Sequence, residues 1–304
     1  MQVLTSDQLP KYQNRANQIV LTRQLLESLQ DAMNRDMPYK SLQRAFGCGE
    51  WIKVVNGAVT SHFCGNRFCL VCNRIRTAKL INGYKIPLEK LPDLQFLTLT
   101  VVNCDHNGLP DLIRAMYRCF YKAKDNLRKQ GIKVLGIRKL EITFNDIQNT
   151  YHPHFHCIVS GQIPGLAMID EWLRLNPTSI LKAQDIQNAD QNAVMELFKY
   201  FTKLKSNNSY SENISILALK NIIFAIRGVR IFQPFGVKME KSTYQKPQID
   251  DIQTHDVYYW NGSNWVNKEN KPIFGDIRIW NKTLQFSNVF EFDREWYKPL
   301  IRQP

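Results

Sequence analysis

The stretch VLGIRKLEITFNDIQNTYHPHFHCIVSG, residues 134–161, decides how this chain folds. Side chains of a strand point alternately to opposite faces. In the first half Leu140, Ile142 and Phe144 therefore share one face, and Lys139, Glu141 and Thr143 share the other. A polar turn follows at DIQNTYHP, residues 146–153. In the second half His154 and His156 share a face, opposite the apolar set Phe155, Cys157 and Val159. Two alternating runs joined by a turn predict an antiparallel hairpin, and that hairpin can set Glu141 beside both imidazoles. Two neutral imidazoles and a carboxylate suit a divalent ion with open coordination positions. A His-x-His pair alone reads equally well as polar decoration of a half-buried strand, so the metal reading leans on Glu141. His106 and His152 are rival ligands; Pro153 is expected to begin the strand and leave His152 off its regular face.

Outward from the hairpin, LQFLTLTVVN (94–103) alternates as a strand, and PDLIRAMYRCFYKAKDNLRKQG (110–131) has helical spacing at Leu112, Met116, Phe120, Ala123 and Leu127. AMIDEWLRL (167–175) predicts a short helix, with a strand within 179–187 and a helix over about 188–205 after it. LALKNIIFAIRGVRIFQPFG (217–236) reads as helix and then strand. Helices among strands, with a hairpin at the centre, predict an α+β fold with an antiparallel sheet. The first 45 or so residues read as amphipathic helix. DVYYWNGSNWVNK (256–268) predicts a hairpin turning at Asn261 and Gly262. Trp260, Trp265, Trp280 and Trp296 make this end aromatic-rich, as core, interface or base-stacking residues.

Forty Lys and Arg against 27 acids leave a formal charge of +13, which suits a polyanion such as nucleic acid. A hydrophobic content of 44% over 304 residues argues against disorder. The N-terminal MQVLTSDQLPKYQNR lacks an apolar signal core, and no run approaches the ~18 apolar residues of a membrane span, so a cytoplasmic protein is expected. Disulfides are then not expected among the seven cysteines. Cys48, Cys64, Cys69 and Cys72 cluster at spacings that suit a closed tetrahedral zinc site, with a redox Cys-x-x-Cys as the competing reading and His62 as a substitute ligand. Arg67, Arg74, Arg76 and Lys79 surround the cluster and could follow a phosphate backbone. Cys104, Cys119 and Cys157 read as small core residues.

In NAVMELFKYFTKLK (192–205), Ala193, Leu197, Phe201 and Leu204 form a helical stripe that should be buried. Glu196, Tyr200 and Lys203 line up beside it. An acid, a phenol and an ammonium are complementary tools for phosphate chemistry, with the phenolate attacking phosphorus and the carboxylate activating water. By itself the same trio reads as a solvated helix face.

Taken in order, CGNRFCLVCNRIR, FLTLTVVN, LEIT, HPHFHCIVSG and MELFKYFTK resemble the replication initiators of rolling-circle plasmids, within the HUH (His-hydrophobic-His) endonucleases. The resemblance spans about residues 44–238. It implies a ferredoxin-like or RRM-like antiparallel sheet with helices on one face and an inserted zinc segment. It also implies a catalytic Mg²⁺ or Mn²⁺ on Glu141, His154 and His156, and Tyr200 as a nucleophile that forms a 5′-phosphotyrosine. Glu196 matches the carboxylate that one branch of these initiators uses for terminating cleavage; Lys203 would stabilise phosphate charge. Arg227 and Arg230, in RGVRIFQPFG, resemble the closing basic strand. Many relatives carry Pro where this chain has Leu70, which scarcely affects the zinc reading. The domain expectation is a helical arm (1–43), a zinc segment (44–80), a catalytic domain (81–238) and a C-terminal extension (239–304). Single-stranded or hairpin origin DNA is the implied substrate, with a host helicase, a polymerase and a homodimer among the partners the resemblance allows. A single-tyrosine transposase or conjugative relaxase, and a non-catalytic zinc DNA-binding regulator, are the alternatives.

Overall fold

The computed structural model describes residues 9–32, 39–55, 58–190, 197, 202–203, 216–240 and 257–273. The chain divides into two compact units, Met1–Arg76 with Ser242–Leu284 and Thr77–Lys241 with Gln285–Pro304.

The first unit joins helices α1 (Leu9–Ala32) and α2 (Tyr39–Phe46) to a small sheet. Strands β1 (Trp51–Val55) and β2 (Ala58–Ser61) form a hairpin, and β9 (Val257–Trp260) and β10 (Trp265–Val266) extend it to the antiparallel order β10-β9-β1-β2. The turn between β9 and β10 falls at Asn261 and Gly262, as expected, and Gly262 takes a φ of 104°, a region open to glycine. Tyr12, Ala16, Ile19 and Leu26 recur at helical spacing on α1 and pack in one core with Ile52, Tyr258, Trp265 and the four clustered cysteines. Trp265 is fully buried and its indole N–H donates to the Gly49 carbonyl at 2.9 Å, so this tryptophan is core. Thr22 ties α1 to the cysteine segment, accepting from the Leu70 amide at 3.1 Å.

The second unit carries the predicted hairpin. β4 (Gly136–Asn145) pairs antiparallel with β5 (Thr150–Ser160), and Asn145 closes the turn by accepting from the amides of Ile147 and Gln148 at 3.1 Å each. β3 (Leu94–Thr100) lies on the other side of β5, and β6 (Asp185–Asn188) borders β3. The free edge of β4 is shared. β8 (Phe232–Phe235) pairs antiparallel with Gly136–Lys139, and β7 (Thr202–Lys203) pairs parallel with Ile142 and Thr143. The fold is α+β, as the alternation predicted, with the hairpin at the centre of the sheet.

One sheet face buries Leu97, Leu99, Leu140, Phe155 and Cys157 beneath α4 (Leu109–Lys129) and α5 (Gln162–Leu175). The rings of Phe120 on α4 and Trp172 on α5 lie 5.5 and 5.8 Å from that of Phe155. α6 (Ile216–Ala225) packs on α4 through a strongly apolar face. Truncating one such buried ring costs about 3–5 kcal/mol, so this face fixes the sheet rigidly. The opposite face is covered at one end by α3 (Leu70–Glu89), whose Ile81, Tyr84 and Leu88 pack with Phe96, Ile137, Ile158 and Leu197. That roof buries part of a strand face that would otherwise meet water.

Two local expectations change. β5 begins at Thr150, so His152 lies within the strand, opposite Thr143 and on the same face as His154 and His156. Pro153 is tolerated because pairing between β3 and β5 ends at Thr100 with His154, so no ladder bond is lost on that side. Helix was expected through 205, yet Thr202 and Lys203 form β7, taking the stretch of β4 edge that β8 leaves open.

Candidate metal centre

The register sets Glu141 directly opposite His154, and Lys139 opposite His156. Because paired strand residues share a face, the three predicted ligands converge: their donor atoms lie within 4.8 Å of one another. His154 Nε2 is 3.2 Å from His156 Nε2, and His156 Nε2 is 3.5 Å from Glu141 Oε2. Glu141 is fully buried and His154 nearly so, while His156 keeps partial exposure.

Outer contacts aim the rings. His154 Nδ1 lies 3.1 Å from the His152 carbonyl oxygen, which can only accept, so Nδ1 carries the proton and Nε2 the lone pair. His156 Nδ1 lies 3.2 Å from Thr98 Oγ1 on the neighbouring strand, and its ring stacks at 5.1 Å on Phe96. Two aimed imidazole nitrogens and a buried carboxylate oxygen fit a divalent cation by donor chemistry. His152 stands beside His154 with ring centroids 5.1 Å apart. Burial first, and His154 second, push its pKa down to about 4. Its ring is thus neutral at physiological pH and lies outside the three-donor group. His106 is exposed in a loop and takes no part.

Sequence reasoning passed over two residues here. Lys139 is buried, with Nζ 3.3 Å from Glu141 Oε2. Alternation put it on the correct face, but that face was taken to meet solvent. Thr98 could have been found only from the pairing of β3 with β5.

The second predicted cluster also assembles. Cys48 follows α2, Cys64 and Cys69 sit in the loop before α3, and Cys72 lies in the first turn of α3. Their sulfurs lie within 4.8 Å of one another, and Cys72 Sγ is 3.5 Å from both Cys48 Sγ and Cys64 Sγ. None of the four is in a disulfide. Backbone amides of Gly65 and Asn66 donate to Cys72 and Cys64 sulfur at 3.2 and 3.3 Å, a pattern that favours thiolates. Hydrogen bonds from Cys48, then Cys64 and Cys69, hold the Cys72 thiol low, and the same network pushes Cys69 up. Four buried sulfurs competing for protons fit a cation better than four thiols. His62 is exposed and outside the group.

Of the basic residues, Arg76 braces the cysteine loop, donating to the Gly65 carbonyl and to Asn73 Oδ1 at 2.8 Å each. Arg67 and Arg74 are partly exposed beside it, and Lys79 is exposed on α3. Arg227 and Arg230 are exposed in the turn between α6 and β8. Lys203 is placed by its backbone in β7. Glu196 and Tyr200 lie outside the described residues.

A family model described as a replication protein, Rep_1, matches residues 57–162. That range contains Glu141, His154 and His156 and three of the four clustered cysteines. The matched range is similar to replication proteins. A protein named Protein rep from Streptococcus pneumoniae serotype 2 (strain D39 / NCTC 7466) is 25% identical over 84% of this chain and 85% of its own length. Proteins of the same name from Bacillus sp and Bacillus amyloliquefaciens are 31% and 34% identical, over 44% and 40% of this chain. This chain spans 47% and 40% of those two relatives' lengths. The matches bear out the resemblance to rolling-circle plasmid replication initiators that the motif order carries. No solved structure matches this chain. Among the described residues, no helix is long and apolar enough to cross a membrane.

Proposed function

We propose that this chain is an origin-nicking replication initiator. The convergence of Glu141, His154 and His156 on adjacent strands, inside the region similar to replication proteins, carries the reading. Glu141, His154 and His156 would hold Mg²⁺ or Mn²⁺, which when bound supplies Lewis-acid polarisation of a scissile phosphate. Lys139 holds the Glu141 carboxylate in place, and Thr98 and the His152 carbonyl hold the rings.

Tyr200 is the nucleophile of this reading. Thr202, two residues on, pairs with Ile142, the neighbour of Glu141, and Leu197 packs on the sheet face that bears the histidines. The described neighbours of this segment, Leu197 and Thr202, thus lie beside the strands that carry the ligands, which supports the reading. The phenol, with an ordinary pKa of ~10, gives up its proton as its oxygen attacks phosphorus. The bond from phosphorus to the 3′-oxygen breaks, that oxygen takes a proton, and a 5′-phosphotyrosine remains. Glu196 then activates water to hydrolyse the last adduct, and Lys203 offsets phosphate charge. Cys48, Cys64, Cys69 and Cys72 would hold structural zinc and pin the segment that carries Arg67 and Arg74. Origin DNA, single-stranded or extruded as a hairpin, is the substrate.

Labelled single-stranded oligonucleotides incubated with the protein and Mn²⁺ test this. The expected result is a denaturation-resistant protein–DNA adduct that disappears in Tyr200→Phe. Equal adducts from both proteins would refute the nucleophile, and no adduct from either would favour a non-catalytic DNA-binding regulator.

A further inference from the structure

Among the described residues, the small sheet of the first unit has one face buried and the other partly exposed. Ile52, Tyr258 and Trp265 close the buried face against α1 and the cysteine cluster. On the other face the pairings Trp51 with Tyr259 and Val266 with Tyr259 make one continuous rung. Val257, Lys53 and Thr60 make the next rung on that side. Tyr259 keeps 49% of its surface exposed and Trp51 is partly exposed. The Lys53 ammonium lies 5.9 Å from the centre of the Trp51 ring.

Ile52, Tyr258 and Trp265 already pack the other face, so an exposed tyrosine and a partly exposed tryptophan here leave apolar ring surface for a partner to cover. Trp51 and Tyr259 are direct partners on antiparallel strands, so both present their side chains on this same face. None of the six residues on the two rungs is acidic, and the one charged group is a lysine. The chain as a whole carries +13. Flat rings beside a cation, without a carboxylate, match bases stacked above and a phosphate alongside. Base faces are open to such stacking in single strands and closed in a duplex.

We propose that the partly exposed face of this sheet, through Trp51, Tyr259 and Lys53, binds single-stranded DNA by base stacking and phosphate contact. The choice of DNA as the strand rests on the nicking reading. The stacking role foreseen for the C-terminal aromatics thus falls to Tyr259, with Trp51 from far earlier in the chain. Trp265 is excluded by burial, and Trp280 and Trp296 lie outside the described residues.

Fluorescence anisotropy of a labelled 15-mer of dT measures the binding, with full-length protein, zinc retained and no added Mg²⁺ or Mn²⁺. Trp51→Ala and Tyr259→Ala should each weaken binding roughly tenfold. Trp51→Phe and Tyr259→Phe, which keep a stacking ring, should stay within about threefold of wild type. Lys53→Ala should flatten the salt dependence by roughly one phosphate contact. Tyr259 is exposed, so its variants are expected to fold even where a Trp51 variant does not. Retained affinity in Tyr259→Ala, or equal losses in Tyr259→Ala and Tyr259→Phe, would overturn the proposal. So would a wild-type protein without affinity for dT, which would leave the face to a protein partner. The adduct assay stands apart: loss of dT binding in the alanine variants supports the stacking face even if no adduct ever forms.

Discussion

Lys139→Met probes the balance of charge inside the histidine face. The lysine and Glu141 side chains are 3% and 1% exposed, and their charged atoms lie 3.3 Å apart. At an effective dielectric of about 20 a pair this close attracts by roughly 5 kcal/mol before desolvation is counted. Methionine fills a similar volume but brings no charge, so the Glu141 carboxylate stays buried with less compensation. Breaking a buried pair from one side costs about 3–5 kcal/mol. For a unit of this size each kcal/mol lowers Tm by roughly 2–4 °C, so the metal-free variant should melt about 10 °C below wild type. A divalent cation on Glu141, His154 and His156 would restore positive charge to the carboxylate, and saturating Mn²⁺ should recover at least about half of the loss. Calorimetric melts of both proteins, zinc retained, with and without Mn²⁺, measure the four values. A variant that melts with wild type in the absence of Mn²⁺ would show the pair to be energetically idle. A loss of equal size with and without Mn²⁺ would refute a cation bound beside Glu141.

Two further outcomes are expected. Cys69→Ser, at a fully buried sulfur, should lower bound zinc from about one ion per chain and unfold the first unit, while Cys157→Ser keeps its zinc. Zinc analysis with far-UV circular dichroism reads this, and a folded, zinc-free wild type would sink the assignment. Thr98→Val keeps the strand but removes the hydroxyl at His156 Nδ1, and should weaken Mn²⁺ binding about tenfold by titration calorimetry; unchanged affinity would show that Thr98 does not aim the ring.

The hairpin was legible because two signals of the same period reinforce each other. Alternation in β4 and in β5 each assigns faces, and a short polar turn leaves few registers, so Glu141 meets His154 with little else to choose. The cysteine cluster was legible for another reason: four thiols within 25 residues can hardly avoid one another once a loop closes around them. Burial was much less legible. A polar strand face reads as solvated, and only the packing of Ile81, Tyr84, Leu88 and Leu197 shows that this one is roofed at one end. That is why Lys139 was passed over. The β7 segment failed for a related reason, since helical spacing over 192–205 carries no information about an unfilled sheet edge far away in sequence.

The same distinction explains the aromatic residues. Local sequence groups Trp260 and Trp265 as alike, yet pairing across the small sheet separates their neighbours into a buried face and a partly exposed one. Trp51 and Tyr259 are more than 200 positions apart in the chain, and no window of sequence could set them side by side. A site made by strand pairing within one hairpin can be read from alternation; a site made by pairing between distant hairpins needs the fold. The metal centre is of the first kind in Glu141, His154 and His156, and of the second in Thr98. Long-range pairing therefore decides how well the ligands are aimed, and it is there, more than in the ligands themselves, that variants should separate metal affinity from fold.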